Sequence, residues 1–313
     1  MPSPPPALRP CRAAFCWLAY VLAFLIALYA EPTFRHRYPD APLWVALLLT
    51  CSATTAVYCI SFVSGNSSVY DPYWCLAPLH LCFAWKAQAP GGFWFYEPRE
   101  TMCIVLLWAW ALRFIVMLPW EGWWQGLTHE DWRYEQIRAS LAPRHALYWL
   151  VSFTSLHMTP TLLVFGAVAP VGRVIMQGTG APPLNAVDAV ALLVCVAGIL
   201  LEAVADETLR HWRRDHAQGR LTRSGARPAG LSCRLGVWRY SRHPNYCGEC
   251  VFWSGLALFA ASSGNLAAEP ALAAGALSMW AFFRMASVPL MDARSLERRA
   301  DYAEVTGGPL NLT

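Results

Sequence analysis

The run NAVDAVALLVCVAGILLEAVA occupies residues 185–205, and DETLRHWRRD follows it directly at 206–215. At a helical rise of 1.5 Å per residue, about 20 apolar residues cross the roughly 30 Å hydrocarbon layer of a bilayer. Charged side chains dominate the continuation, and they suit the aqueous surface of a membrane rather than its interior. The stretch therefore predicts a membrane-spanning helix that extends beyond the bilayer as a charged helix.

Apolar runs of similar length recur along the chain. They lie at about 13–30, 42–64, 101–119, 147–169, 185–205, 247–262 and 269–288, with a weaker run at 70–88 that Pro72 and Pro78 interrupt. The chain is 56% hydrophobic and 14% charged, whereas soluble domains carry about 25% charged residues. A large soluble core is the alternative, but the number of long runs favours an all-α, polytopic transmembrane helical bundle of about eight spans, in contact with membrane lipids.

Basic residues divide unevenly between the two sides of such a bundle. If residues 1–12 form a disordered cytosolic tail, 17 Arg and Lys residues lie on the cytosolic side and five on the other. This asymmetry follows the positive-inside rule and predicts cytosolic termini. Residues 13–30 could instead form a cleaved signal peptide, but the run exceeds the usual apolar core of one, which favours a retained first helix. Arg is concentrated in one loop, so we expect no nucleic-acid partner.

Four ionisable side chains share one face of the charged helix. Glu202, Asp206, Arg210 and Arg213 are spaced four, four and three residues apart, which places them in one stripe. Ionisable groups at the membrane end of a helix are costly unless they are paired or functional. The stripe is therefore either a polar site or an ion pair between Asp206 and Arg210 at the membrane surface.

The segment GVWRYSRHPNYCGE at 236–249 precedes the run 247–262. Pro244 suits the first position of a helix, and the free N–H groups of that helix would face Arg239 and Arg242. Helix N-termini beside arginines bind anions such as phosphate. A basic patch that contacts lipid head groups is the alternative, but it leaves Asn245 and Glu249 without a role.

Three stretches together resemble the steroid 5α-reductase-like membrane family, in particular its branch of uncharacterised function. They are LEAVAD at 201–206, GVWRYSRHPNYCGE at 236–249 and RRADY at 298–302. The family is distantly related to sterol double-bond reductases and isoprenylcysteine carboxyl methyltransferases. The resemblance implies that residues 13–146 form a substrate-side half and residues 147–313 a half that binds NADPH.

The resemblance also implies which side chains hold the cofactor. Contacts to NADPH are expected from the stripe, the 236–249 segment and the C-terminal segment that closes the site: Asp206, Arg210, Arg213, Arg239, Tyr240, Arg242, His243, Asn245, Tyr246, Glu249, Asp292, Arg298 and Tyr302. Arginines can neutralise phosphates, and the acidic and amide side chains can hold ribose hydroxyls and the nicotinamide carboxamide.

A proton donor must come from another part of the chain. Where classical steroid 5α-reductases carry a tyrosine three residues before an arginine, this chain has Trp110 before Arg113, and an indole is a poor proton source. Asp71, Glu130 and Tyr134 are the candidate catalytic residues, because acidic and phenolic groups near one membrane face can deliver a proton. The alternative is that residues 130–134 anchor the membrane interface, with Arg133 paired to Glu130 or Asp131.

The sequence thus predicts an integral membrane oxidoreductase that uses NADPH to reduce a carbon–carbon double bond of a hydrophobic lipid or steroid-like substrate taken from the bilayer. In a eukaryotic cell we expect it in the endoplasmic reticulum. An S-adenosylmethionine-dependent methyltransferase and a non-catalytic lipid-binding protein are the alternatives. Cys247 and Cys250 form a CxxC pair, but a zinc site needs four ligands, so no metal is predicted.

Overall fold

The computed structural model describes residues 9–121, 130–217 and 231–305, with the side chains nearest some of these limits left undescribed. Within these ranges every regular element is helical, which confirms the all-α class. The α-helices are α1 Arg9–Arg37, α2 Pro42–Ser64, α3 Ala77–Lys86, α4 Pro98–Glu121, α5 Trp132–Ser140, α6 His145–Val151, α7 Thr159–Gln177, α8 Ala186–Ala217, α9 Pro244–Ser262, α10 Asn265–Ala268, α11 Ala273–Phe282, α12 Val288–Arg298 and α13 Tyr302–Val305.

Two π-helical stretches continue these helices. Ser152–Met158 joins α6 to α7, and Phe283–Ser287 joins α11 to α12. The N-terminal tail expected at residues 1–12 lies partly in α1, which begins at Arg9, and its residues 1–8 are outside the described ranges.

In the part of the chain that the structure describes, five helical segments are long and apolar enough to cross a membrane. They are Cys16–Arg37, Pro42–Ser64, His145–Gly180, Ala186–Asp215 and Pro270–Arg298. The expected runs at 101–119 and 247–262 form α4 and α9, which are not among the five. The run at 70–88 forms a turn and the ten-residue α3, which is only about 15 Å long. Helix length and composition therefore establish a membrane-type helical protein with five candidate spans in the described residues, and the count of about eight stays a prediction.

The closest helix pair is α8 against α9, and glycines on both helices allow their backbones to approach. A Cβ atom on Gly198 would lie 2.6 Å from the backbone nitrogen of Phe252, and one on Gly248 would lie 2.9 Å from the Gly198 oxygen. Small residues permit this packing between helices in membranes. The pair holds the middle of α8 directly against the first turns of α9.

Buried side chains from both halves of the chain form the main core. Trp85 and Trp110 of the first half pack in one cluster with Phe252 and Trp253 of the second. Trp110 and Phe252 are stacked with ring centroids 5.6 Å apart. The two predicted halves therefore share a hydrophobic core, and the boundary placed at residue 146 stays a prediction.

Helix α4 carries one buried arginine near its start and another about two-thirds of the way along it. Arg99 donates to both carboxylate oxygens of Asp188, at 2.7 and 2.8 Å, and to Ser262 at 3.0 Å. Its remaining N–H groups donate to the carbonyl oxygens of Pro182 and Pro183. This group, the Arg99 centre, ties the start of α8 to the end of α9. Arg113 lies 14 residues further along α4, about 21 Å away along the helix axis.

Candidate functional site

Arg113 lies among three carboxylates at the opposite end of the bundle from Arg99. It donates to Asp206 at 2.7 Å and to Glu202, and Glu249 Oε1 lies 3.5 Å from the guanidinium. These residues come from α4, α8 and α9, and we call them together the Arg113 centre.

Two indoles hold the third carboxylate of this centre. Trp110 donates to Glu249 Oε2 at 3.2 Å, and Trp253 donates to the same oxygen at 3.0 Å. An indole has one N–H, so the hydrogen-bonding capacity of Trp110 is used within the protein. The position that holds a tyrosine in the classical reductases therefore serves here to orient Glu249.

The Arg113 centre also contains buried polar atoms without partners. Among the described residues, no hydrogen-bond partner meets Arg113 Nε, Glu202 Oε1 or Asn245 Oδ1. The Asn245 side chain does bond to Asp206, so only its acceptor oxygen is left over. Buried polar groups are almost always satisfied in folded proteins, so several orphans together indicate a place for a ligand.

A second polar group surrounds Asp292 on α12. Its carboxylate is bonded by Arg242 at 3.0 Å, by His243 Nε2 at 2.8 Å and by the Tyr302 hydroxyl. Burial lowers the pKa of His243, and the neighbouring Asp292 opposes that effect. We call this group the Asp292 centre. It brings the 236–249 segment and the C-terminal segment together.

A row of rings extends from the Asp292 centre into a cavity. The His243 ring stacks on Tyr246 with centroids 5.2 Å apart, and Tyr246 contacts Phe283 at 4.9 Å. These rings line a cavity of about 190 Å³ together with Arg242 and Arg284. Tyr246 is also within electrostatic range of Asp206, so the Arg113 and Asp292 centres are neighbours.

The other predicted cofactor residues lie around these centres without joining them. Arg210 pairs with Glu207 on its own helix rather than with Asp206, so the ion pair weighed for the stripe is wrong. Arg213 is within electrostatic range of Asp206. Four of the predicted side chains are exposed to the surroundings: Arg213, Arg239, Tyr240 and Arg298.

Two of the three candidate catalytic residues are bonded to each other. The Tyr134 hydroxyl donates to Asp71 Oδ1 at 2.7 Å. Burial raises the pKa of Asp71 to about 6, although nearby Arg133 acts in the opposite direction. A carboxyl group with a pKa near neutrality can exchange a proton under physiological conditions.

The third candidate, Glu130, belongs to a different network. It accepts from the Ser67 backbone at 2.8 Å, from Arg138 at 2.8 Å and from the Tyr148 hydroxyl at 2.9 Å. Because these donors fill its oxygen atoms, Glu130 holds the start of α5 against the turn after α2. Arg133 pairs with Asp131 at 2.8 Å. Asp131 is one of the two partners that the membrane-interface alternative named for Arg133.

The start of α5 connects the two halves at the site. The guanidinium of Arg294 on α12 stacks on Trp132 at 3.4 Å, and Arg133 is within electrostatic range of Tyr246. The Asp71–Tyr134 pair therefore lies near the same end of the bundle as the Arg113 and Asp292 centres.

Sequence reasoning noted Glu202 and Arg113 but gave neither a place in the site. The sequence could have connected these two residues, because each is a charged residue inside an apolar run, and such residues normally find a partner within the bundle. The two cysteines of the CxxC pair have different surroundings, since Cys247 is exposed and Cys250 is buried.

A protein-family model described as "Protein of unknown function (DUF1295)" matches residues 57–306. No curated protein and no solved structure matches the chain. The matched region contains the Arg113 centre, the Asp292 centre and the Asp71–Tyr134 pair.

Proposed function

The chain belongs to the family described as Protein of unknown function (DUF1295), and on that premise we propose that it is an integral membrane oxidoreductase that uses NADPH to reduce a carbon–carbon double bond of a hydrophobic, lipid-like or steroid-like substrate. The substrate would enter from the bilayer. The cofactor would bind at the end of the bundle that holds the Arg113 and Asp292 centres.

The observation that carries this proposal is the meeting of Asp206, Asn245 and Glu249 around buried orphan atoms. All three were expected to contact NADPH from the family resemblance. The unused Asn245 oxygen needs a donor, and the amide N–H groups of a nicotinamide or the hydroxyls of a ribose are such donors. Carboxylates near the ribose and carboxamide, and arginines near the phosphates, would match the charge pattern of the cofactor.

Cations suited to the phosphates surround the two centres. Arg242 and Arg284 line the cavity beside Tyr246. Burial lowers the pKa of Arg299, and so does the positive charge of nearby Arg213. Two like charges held close together repel each other, and a phosphate between them would relieve that repulsion.

Asp71 and Tyr134 would supply the proton in the proposed reaction. NADPH provides a hydride, which in an enone would add to the β-carbon and leave an enolate that must be protonated at the α-carbon. The bonded Tyr134 hydroxyl and Asp71 carboxyl can pass a proton along their hydrogen bond, since Asp71 titrates near neutrality. Trp74, three residues after Asp71, packs on Trp110 with ring centroids 5.5 Å apart, which places this loop beside the Arg113 centre.

We propose eight crossings with both termini in the cytosol, in the endoplasmic reticulum of a eukaryotic cell. The ends of α2 and α8 and the starts of α5 and α9 lie at the Arg113 end of the bundle, which supports this arrangement. Protease protection in sealed microsomes tests it. A C-terminal tag should be digested by added protease, and a shielded tag would contradict the topology.

The cofactor is tested by titrating purified protein in nanodiscs with NADPH, NADH and S-adenosylmethionine. Tryptophan-to-NADPH energy transfer reports binding, because the indoles of Trp110 and Trp253 lie in the Arg113 centre. Thermal stability gives a second readout, because a ligand that binds the folded state raises it by mass action. We expect saturable NADPH binding that exceeds NADH binding. Stabilisation by S-adenosylmethionine alone would reject the reductase proposal.

One observation favours the second candidate, an S-adenosylmethionine-dependent methyltransferase. The Arg113 centre has three carboxyl groups for one guanidinium, and a sulfonium cation would suit such an excess. The same titration separates the candidates. If no ligand binds, the non-catalytic lipid-binding alternative gains support.

A further inference from the structure

Glu202 has surroundings that an ionised carboxylate does not fit. Its side chain is fully buried on α8, where desolvation strongly disfavours the charged form. Arg113 bonds one of its oxygens, but Arg113 is shared with Asp206 and Glu249. One positive charge thus faces three carboxyl groups in a buried site.

Within the described ranges, the second Glu202 oxygen has no N–H or O–H donor, and the residue lies next to another carboxyl group. Glu202 Oε1 is an orphan, whereas the Glu249 carboxyl is within hydrogen-bonding reach of Glu202. Two carboxylates at such a distance repel each other, and a single proton between them converts the repulsion into a hydrogen bond.

The donors around the pair indicate which carboxyl group carries the proton. Glu249 Oε2 accepts from both Trp110 and Trp253, which stabilises its ionised form. Among the described residues, Glu202 has one cationic neighbour, Arg113, and an unpaired oxygen that its own proton would satisfy. Cys75, Cys250 and Asp206 also face the pair, and none of these three is a cation.

The backbone of α9 makes this proximity obligatory. A Cβ atom on Gly248 would lie 2.5 Å from Glu202 Cγ, so only glycine lets Glu202 lie against the first turns of α9. The sequence therefore places Glu202 and Glu249 together through Gly248, the residue that precedes Glu249.

We propose that Glu202 holds a proton on Oε1 and donates it to Glu249, so that the two residues form a carboxyl–carboxylate pair within the Arg113 centre. This leaves the centre with a net charge of −1 rather than −2. Glu202 thereby becomes an acid–base site, in addition to the residues that the sequence assigned.

A consequence for ligands follows, and it rests on the proposed function. Oxidised NADP⁺ has a cationic nicotinamide ring and NADPH a neutral one. A cation beside the pair would favour ionisation of Glu202: its O–H bond breaks, the proton leaves to solvent and the new carboxylate neutralises the ring. Binding of NADP⁺ should therefore release about one proton per site that binding of NADPH does not.

Infrared spectroscopy tests the proton directly, without any cofactor. At a pH well above 6, where Asp71 is ionised, the wild-type protein should show the carbonyl stretch of a protonated, buried carboxyl group, which shifts when H₂O is replaced by D₂O. Glu202→Gln should abolish that band yet stay folded, because its amide N–H can donate to Glu249 as the O–H does. Glu269→Gln, which removes an exposed partner of Arg173, is the matched control and should leave the band unchanged.

Three outcomes would contradict the proposed protonation of Glu202. A band that is absent from the wild type, or that persists in Glu202→Gln, shows that Glu202 is not the protonated group. Loss of folding in Glu202→Gln but not in Glu269→Gln would show that an ionised Glu202 is needed to pair with Arg113. Proton release measured with a pH indicator separates the two claims: if neither nucleotide binds, the proposed function fails while the infrared result stands.

Discussion

Helix α4 carries two buried arginines that solve the same physical problem differently. Arg99 meets one carboxylate, a serine and two carbonyl oxygens, all within 3.0 Å. Arg113 meets three carboxyl groups, and its own Nε and two nearby oxygens have no partner among the described residues. Both side chains are almost completely buried.

The difference indicates two kinds of role. A buried charge that is fully paired and hydrogen-bonded fixes the positions of the elements around it. Incompletely satisfied polar groups in a buried site point to something that the protein binds. We therefore assign the Arg99 centre to folding and the Arg113 centre to ligand binding. The following predictions test that division, from the largest expected effect to the smallest.

Arg99→Gln should have the largest effect. It leaves Asp188 as a buried charge without its partner, and breaking such a pair typically costs about 3–5 kcal/mol. We expect little folded protein by size-exclusion chromatography in detergent and a much lower unfolding temperature. Arg173→Gln is the control, because its pair with Glu269 is partly exposed and such pairs contribute about 0–1 kcal/mol. Equal stability of the two variants would remove the structural role of the Arg99 centre.

Arg213→Gln should affect ligand binding more than folding. If Arg213 contacts the 2′-phosphate of NADPH, losing a charge-assisted bond costs about 1.5–3 kcal/mol for NADPH and little for NADH. Arg210→Gln is the matched comparison, because Glu207 already pairs with Arg210. Parallel titrations of both variants with both nucleotides measure the difference, and higher salt should weaken NADPH binding more than NADH binding. Equal losses for the two nucleotides would exclude phosphate recognition by Arg213.

Asn245→Ala should weaken NADPH binding by about 1–3 kcal/mol while the protein stays folded, because its free oxygen is assigned to the ligand. Asp206→Ala should act in the same direction. Asn185→Ala is the control for Asn245, since Asn185 bonds to Ser262 at the Arg99 end of the bundle. We expect Asn185→Ala to lower thermal stability without changing NADPH affinity. Unchanged affinity in Asn245→Ala and Asp206→Ala would place the cofactor elsewhere.

Part of this comparison could be predicted from the sequence. The apolar runs predicted the helices, and the spacing of Glu202 and Asp206 predicted that both lie on one polar face of α8. The partners of Arg113 could not be predicted, because contacts between α4, α8 and α9 join residues far apart in the chain. The same limitation led to the prediction of an Asp206–Arg210 pair, which local spacing favours. In the structure Asp206 pairs with Arg113 and Arg210 pairs with Glu207 instead. Arg99 was counted only as a loop charge, since nothing local connects it to Asp188.

The smallest effect concerns the pH dependence of stability at the Arg113 end. Burial raises the pKa of Asp71 from 3.8 to about 6, so the folded state binds this proton more tightly than the unfolded state does. The stabilisation from protonated Asp71 is therefore fully present below about pH 3.8 and is lost as pH rises through about 6.

Asp71→Asn keeps an acceptor for Tyr134 but cannot ionise. The unfolding temperature of the variant, relative to that of the wild type, should increase between pH 4 and pH 7. Asp131→Asn, at an α5 cap that is more exposed, is the comparison and should not reproduce that trend. A constant difference between Asp71→Asn and wild type across this range would show that Asp71 does not change its protonation there, and would remove it as the proton source.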